Sequence, residues 1–137
     1  MSLVEVTIPD SVEVIRCCAF SGCLALESVT IGDGTTEIAD GAFGSCTNMS
    51  TLNLGSSVEI IGHNAFISSN ISKVVIPESV KSIGCNAFGN CTNMSTIFCK
   101  ATNPPTAKYS DQGIWGAFDN NAAERVIYVP AEAIDAY

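Results

Sequence analysis

Cys17, Asp40, His63 and Cys85 stand 23, 23 and 22 residues apart, and each is a side chain that can ligate a transition metal. Two ligands of one zinc lie within about 4 Å of each other, so the four share an ion only if the chain brings them to one point. A second set, Asp10, Asp33 and Glu78 with Ser56, repeats after a run of alternating apolar residues and offers oxygen ligands suited to loose calcium binding. Seven cysteines, with Cys17 and Cys18 adjacent, suggest disulfides or metal. Catalysis has less to work with. His63 is the only histidine, and the chain carries no Gly-x-Ser-x-Gly, no His-Glu-x-x-His and no phosphate-cradling glycine loop. The chain therefore reads as not an enzyme.

What these side chains can do depends on the elements that hold them, and those elements repeat. Ala-Phe recurs at Ala19-Phe20, Ala42-Phe43, Ala65-Phe66 and Ala87-Phe88, with a looser fifth copy at Ala117-Phe118. Five residues before the first four phenylalanines stand Ile15, Ile38, Ile61 and Ile83; three residues after stand Cys23, Cys46, Ser69 and Cys91. Each unit opens on an alternating segment (Val6-Thr7-Ile8, Val29-Thr30-Ile31, Leu52-Asn53-Leu54, Val74-Val75-Ile76, Ile97-Phe98-Cys99), the pattern of a strand with one face buried. A period of this length marks a solenoid, whose units bury their apolar faces only by stacking. The expected fold is mainly β: a right-handed solenoid of about five coils of 22–23 residues, near 3–26, 27–49, 50–71, 72–94 and 95–137, forming a single domain. Its strands pair in parallel, and the Ala-Phe segments make short α or 3₁₀ turns, because a coil this short has no room for a full helix.

Stacking decides between the chemistries. Parallel coils repeat at about 4.8 Å, so Cys17 and Cys85, three coils apart, are separated by about 14 Å and cannot share an ion. No metal and no cofactor are expected. The same spacing places Cys23, Cys46 and Cys91 in one inward column with Cβ atoms about 5 Å apart, farther than a disulfide spans, so they serve as small buried hydrophobes. Cys99, at the position of Ile8, Ile31, Leu54 and Ile76, joins the core. All seven thiols are expected to be reduced. Asn48-Met49-Ser50, Asn70-Ile71-Ser72 and Asn93-Met94-Ser95 fit the N-glycosylation pattern, and equally fit a repeat that happens to contain it.

A net charge of −8 argues against nucleic acid, which is bound through clustered lysine and arginine. The imbalance lies in residues 1–59, with eight acids and one base; residues 60–137 hold six acids and five bases. The apolar share of 47% suffices for a continuous core. No stretch approaches the length of apolar residues that spans a bilayer, so membrane insertion is not expected. Leu3 already belongs to the first strand, and Pro130–Tyr137 reads as the opening of a capping helix, so the chain reads as a segment of a longer protein.

Val-x-Ile-Pro-x-Ser-Val-x-x-Ile-x-x-x-Ala-Phe-x-x-Cys-x-x-Leu, the shared phrase of these coils, resembles the BspA-like class of leucine-rich repeat. Residues 4–26 and 74–94 follow it closely; residues 29–49 put Gly32-Asp33-Gly34-Thr35 in place of Pro-x-Ser-Val, and residues 52–71 have Ser69 for the cysteine and one residue fewer. The segments from Cys99 to Thr106 and from Ile127 to Tyr137 are similar to the closing part of many such proteins. The resemblance implies a surface or secreted protein of adhesion or recognition type, located extracellularly or at the cell surface.

Function is then expected on the outward column of the main strands, where Thr7, Thr30 and Asn53 give way to Val75, Phe98 and Tyr128, with Lys73 at the rim. An exposed aromatic strip marks an interaction surface. The expected role is a binding or adhesion module that recognises protein or glycan through Val75, Phe98, Tyr128 and Lys73. The alternative is a structural spacer, favoured if Trp115 and the loop from Lys100 to Arg125 fold over Phe98.

Overall fold

Alternating segments of the repeat form one strand per coil: β1 (Glu5–Ile8), β3 (Ser28–Ile31), β5 (Thr51–Asn53), β7 (Lys73–Ile76), β9 (Thr96–Cys99) and β11 (Val126–Tyr128). The computed structural model describes residues 2–108 and 113–137. From β1 to β5 and from β7 to β11 each strand pairs in parallel with the equivalent one in the next coil, in the register the repeat dictates: Val6 opposite Val29, Val74 opposite Ile97, and Ile127 opposite Ile97. The inward members Val29, Ile31, Val74, Ile76, Ile97 and Cys99 are buried.

The short extended piece that ends at the repeated isoleucine pairs from coil to coil into a second parallel sheet. Its strands are β2 (Val14–Ile15), β4 (Glu37–Ile38), β6 (Ile60–Ile61), β8 (Ser82–Gly84) and β10 (Thr106–Lys108), in the spatial order β10-β8-β6-β4-β2. Ile15, Ile38, Ile61 and Ile83 point from it into the core. Between the sheets the Ala-Phe turns bond to one another as well: the amides of Phe20, Phe43, Phe66 and Phe88 donate to Ala42, Ala65, Ala87 and Ala117 carbonyls at 2.7–2.8 Å. Their rings stack face to face, with centroids 4.9, 5.4, 5.1 and 5.2 Å apart from Phe20 through Phe43, Phe66 and Phe88 to Phe118. Phe118 thus completes the stack although 30 residues separate it from Phe88, because the extra residues include β10 and a 3₁₀ helix, Gly113–Phe118, that rejoin the second sheet.

Two departures from the expected coil have local causes. In the first four coils the Ala-Phe segment is a run of tight turns; it forms no helix. The residue two before each phenylalanine is left-handed (Cys18, Gly41, Asn64 and Asn86, φ 53–63°), and so is the residue two after (Gly22, Ser45, Ser68 and Asn90). A right-handed helix cannot pass through such positions, which glycine and asparagine occupy at least cost. The second departure is a break in the main sheet. β1, β3 and β5 form one ladder and β7, β9 and β11 another, with no strand pairing between β5 and β7. Elsewhere the return to the main strand makes a turn, with Leu26, Met49 and Met94 amides donating to Cys23, Cys46 and Cys91 carbonyls at 2.8–3.0 Å. The return before β7 has one residue fewer: Ser69 stands where that turn begins, and its hydroxyl donates to the Phe66 carbonyl at 2.8 Å and meets Cys91 Sγ at 3.1 Å. Lacking the turn, the chain enters β7 differently, and the ladder lapses at this seam.

Candidate functional site

The outward column is built by alternation: when Val74, Ile76, Ile97 and Cys99 face the core, Val75 and Phe98 must face away. Strand pairing sets Phe98 beside Val75 on one side and beside Tyr128 on the other. The Phe98 and Tyr128 rings stack with centroids 4.6 Å apart and planes 13° from parallel. Lys73, on β7, places its ammonium 5.2 Å from the centre of the Phe98 ring, a cation–π contact on the side away from Tyr128. Val75 and Phe98 are half-buried, and Tyr128 keeps 51% of its surface exposed. The four residues expected from sequence therefore meet at one place. Together with Lys100, Val129 and Pro130, which sequence reasoning passed over, they line an open concavity of about 460 Å³. Lys100 carries no distinguishing signal in the sequence; its place follows from the turn after β9.

The Lys100–Arg125 loop leaves Phe98 uncovered where it is described: β10 and the following 3₁₀ helix pack on β8, in the other sheet. The Trp115 side chain, on which the spacer alternative turned, lies outside the described residues. Toward the first coils the outward column is polar, with Thr7 and Asn53 exposed and Thr30 half-buried.

The metal-competent column is a hydrogen-bond ladder between coils. Asp40 Oδ1 accepts from the His63 amide at 2.8 Å, and His63 Nδ1 accepts from the Cys85 amide at 3.0 Å, so each side chain holds the backbone of the next coil. Beside it, Glu37, Asp40, Ile60 and His63 line a hollow of about 510 Å³ on the second sheet. Among the described residues no three histidine, cysteine or acidic side chains cluster as a metal would need. The acidic turn column behaves alike: Asp10 Oδ1 accepts from the Asp33 amide, and Asp33 Oδ1 from the Ser56 amide and hydroxyl, at 2.8–2.9 Å. Those bonds from Ser56 hold the Asp33 carboxyl below its ordinary range. Gly34, in place of a Pro-x-Ser serine, allows the close approach beneath, since a Cβ there would lie 1.7 Å from the Asp10 carbonyl oxygen.

Cys46, Cys91 and Cys99 are buried, whereas Cys17 and Cys18 are exposed. Burial pushes the Cys99 thiol up to about 11 and raises those of Cys46 and Cys91. The sequon asparagines are exposed: Asn93 Nδ2 donates to Asn70 Oδ1, and Asn48 Nδ2 to the Leu24 carbonyl. After β11, Pro130 leads into a 3₁₀ helix, Ala131–Ala136, where a capping helix was expected to open. Ala133 is buried there, and the Tyr137 hydroxyl donates to the Ala101 carbonyl at 2.9 Å. Among the described residues no helix is long and apolar enough to cross a membrane.

A family model described as the BspA type leucine rich repeat region matches residues 1–109 in six copies. Among solved structures, a leucine rich cell surface protein of Faecalibacterium prausnitzii is similar over 98% of this chain, with a TM-score of 0.78 and 24% identity. The pneumococcal vaccine antigen PcpA aligns with 96% of this chain at a TM-score of 0.66 and 18% identity, and a leucine-rich repeat protein of Bacteroides ovatus with 72% at 0.62 and 23%. The chain spans 35%, 42% and 33% of those three chains respectively. No match is found among curated proteins.

Proposed function

Because the chain belongs to the BspA-type leucine-rich repeat family, we propose that it is a non-enzymatic binding module of a cell-surface or secreted protein, recognising protein or glycan through the C-terminal part of its main sheet. One observation carries the reading: Phe98, Tyr128, Val75 and Lys73 assemble on the solvent side of a sheet whose earlier coils present threonine and asparagine there. A sheet that meets only water gains nothing from an exposed aromatic pair and acquires an aggregation hazard. The surface location is supported by the description of the Faecalibacterium neighbour as a cell surface protein and of the pneumococcal one as a vaccine antigen.

The test applies labelled wild-type chain, Phe98→Ser and Tyr128→Ser to an array of extracellular proteins and glycans. Ligands bound by the wild type and lost by both variants, at unchanged thermal stability, are the expected outcome. Ligands retained by both variants would place recognition on another face of the chain, and no ligand bound by the wild type would make this segment a spacer.

A further inference from the structure

Resting on the binding-module reading above, we infer that the partner is an acidic peptide segment, bound extended across the strands from the seam beside β5 to Tyr128. Three observations meet in this inference. First, the concavity at Phe98 is lined by Lys73 and Lys100 and by no carboxylate among the described residues, in a chain with 14 acids and 6 bases. Two ammonium groups with no carboxylate beside them attract a carboxylate and give a neutral ligand no such attraction, while the net charge of −8 repels further copies of the chain.

Second, the rings do not form a platform. Phe98 has Tyr128 on one face and the Lys73 ammonium on the other, so its edge is what meets solvent. Aromatic edges carry partial positive charge and favour carboxylate oxygens, whereas sugars that stack need an open ring face. Only the outer face of Tyr128 is available for that.

Third, the concavity continues past Lys73 and Val75, which also line a second one of about 300 Å³ over the seam, together with Thr51, Asn53 and Ser72. Hydroxyl and amide side chains there suit the N–H and C=O groups of a peptide main chain. From β5 to β11 is three coil steps, about 14 Å, which an extended peptide covers with about four residues. The expected ligand thus has a polar end at the seam, an acidic residue over Lys73 and Lys100, and an apolar residue against Tyr128.

The experiment selects a displayed library of random short peptides on the immobilised chain, then measures the selected peptides and their Asp→Asn, Glu→Gln counterparts by fluorescence anisotropy at low and high salt. Selected peptides rich in Asp and Glu, weakened about fivefold by amide replacement or by Lys73→Gln, bear the inference out; that ratio is the most one exposed ion pair supplies. The ratio should shrink as salt screens the pair. Asn53→Ala should weaken the same peptides without changing their acid preference. Selection of neutral peptides, no selection at all, or an acid preference that survives both Lys73→Gln and Lys100→Gln would overturn it. Tetragalacturonate serves as the acidic-sugar probe: if it binds through Tyr128 and no peptide does, the acidic-peptide assignment fails while the binding module stands. If probes bind and none loses binding in Tyr128→Ser, recognition lies off this part of the sheet and the placement of the module fails; if neither probe type binds, the module reading itself fails.

Discussion

The protein stacks aromatic rings twice, inside and outside. The inner ladder runs from Phe20 to Phe118 with centroids 4.9–5.4 Å apart, and the outer pair, Phe98 and Tyr128, sits at 4.6 Å. Both spacings are the coil spacing, imposed by backbone pairing and not chosen by the rings. What differs is the surroundings: Phe43, Phe66, Phe88 and Phe118 are fully buried, whereas Tyr128 is half exposed. Equal geometry therefore serves two ends. Where both sheets close over a ring it stabilises the fold, and where a ring stands on the open side of one sheet its surface is left for a partner.

Three measurements test that contrast, in descending order of effect. Phe66→Ala removes a ring from the middle of the inner ladder, with stacked neighbours on both faces; denaturant unfolding should show a loss of about 3–5 kcal/mol, or no cooperative transition at all. A loss below about 1 kcal/mol would mean that the ladder is not what holds the coils together. Next in size is the alkaline limb of stability. Cys99 is the inward neighbour of Phe98 on β9, and burial lifts its thiol from an ordinary 9.0 to about 11, while Tyr137 is raised to about 12 by burial and then by the charge of Cys99. A group whose value is raised in the folded state favours folding fully below its unfolded value, and that contribution fades as pH climbs to the folded one. Thermal stability should thus fall between about pH 9 and 11, and Cys99→Val should flatten the fall; an unchanged limb would show that the inner face of β9 is open to water.

The smallest effect is expected on the other face of the same strand. Phe98→Ser should change unfolding stability by no more than about 1 kcal/mol, the usual range for surface positions. A loss of several kcal/mol would make the outer pair a piece of core and erase its difference from the inner ladder.

Much of this was legible from residue spacing. The interval between Ala-Phe copies predicted stacking, alternation predicted which way Val75, Phe98 and Tyr128 face, and the same spacing ruled out a shared ion for Cys17 and Cys85. Periodicity could not show what the off-strand side chains do, because their partners lie one coil away: that Asp40 and His63 accept from the amides of His63 and Cys85 is seen only once the coils are stacked. The short extended pieces that end at the repeated isoleucines are legible in the repeat, but their pairing into a second sheet is not, since strands of two or three residues are recognisable only by pairing.

The sequence by itself determined the coil, its inward columns and the outward direction of the aromatic strip, because each follows from local alternation and a fixed repeat length. Only the tertiary structure decided the rest. The path of the inserted segment after Lys100, which carries Phe118 into the ladder, depends on a backbone edge of β8 that exists only once the coils are stacked. The meeting of Lys73, Lys100 and Phe98 in one concavity depends on side chains from different coils crossing the coil spacing. The break between β5 and β7 is visible in sequence as one missing residue, but whether a stack absorbs such a deletion by shifting a strand or by breaking its ladder is set by the packing of Ser69 and Ile71 against the neighbouring coils.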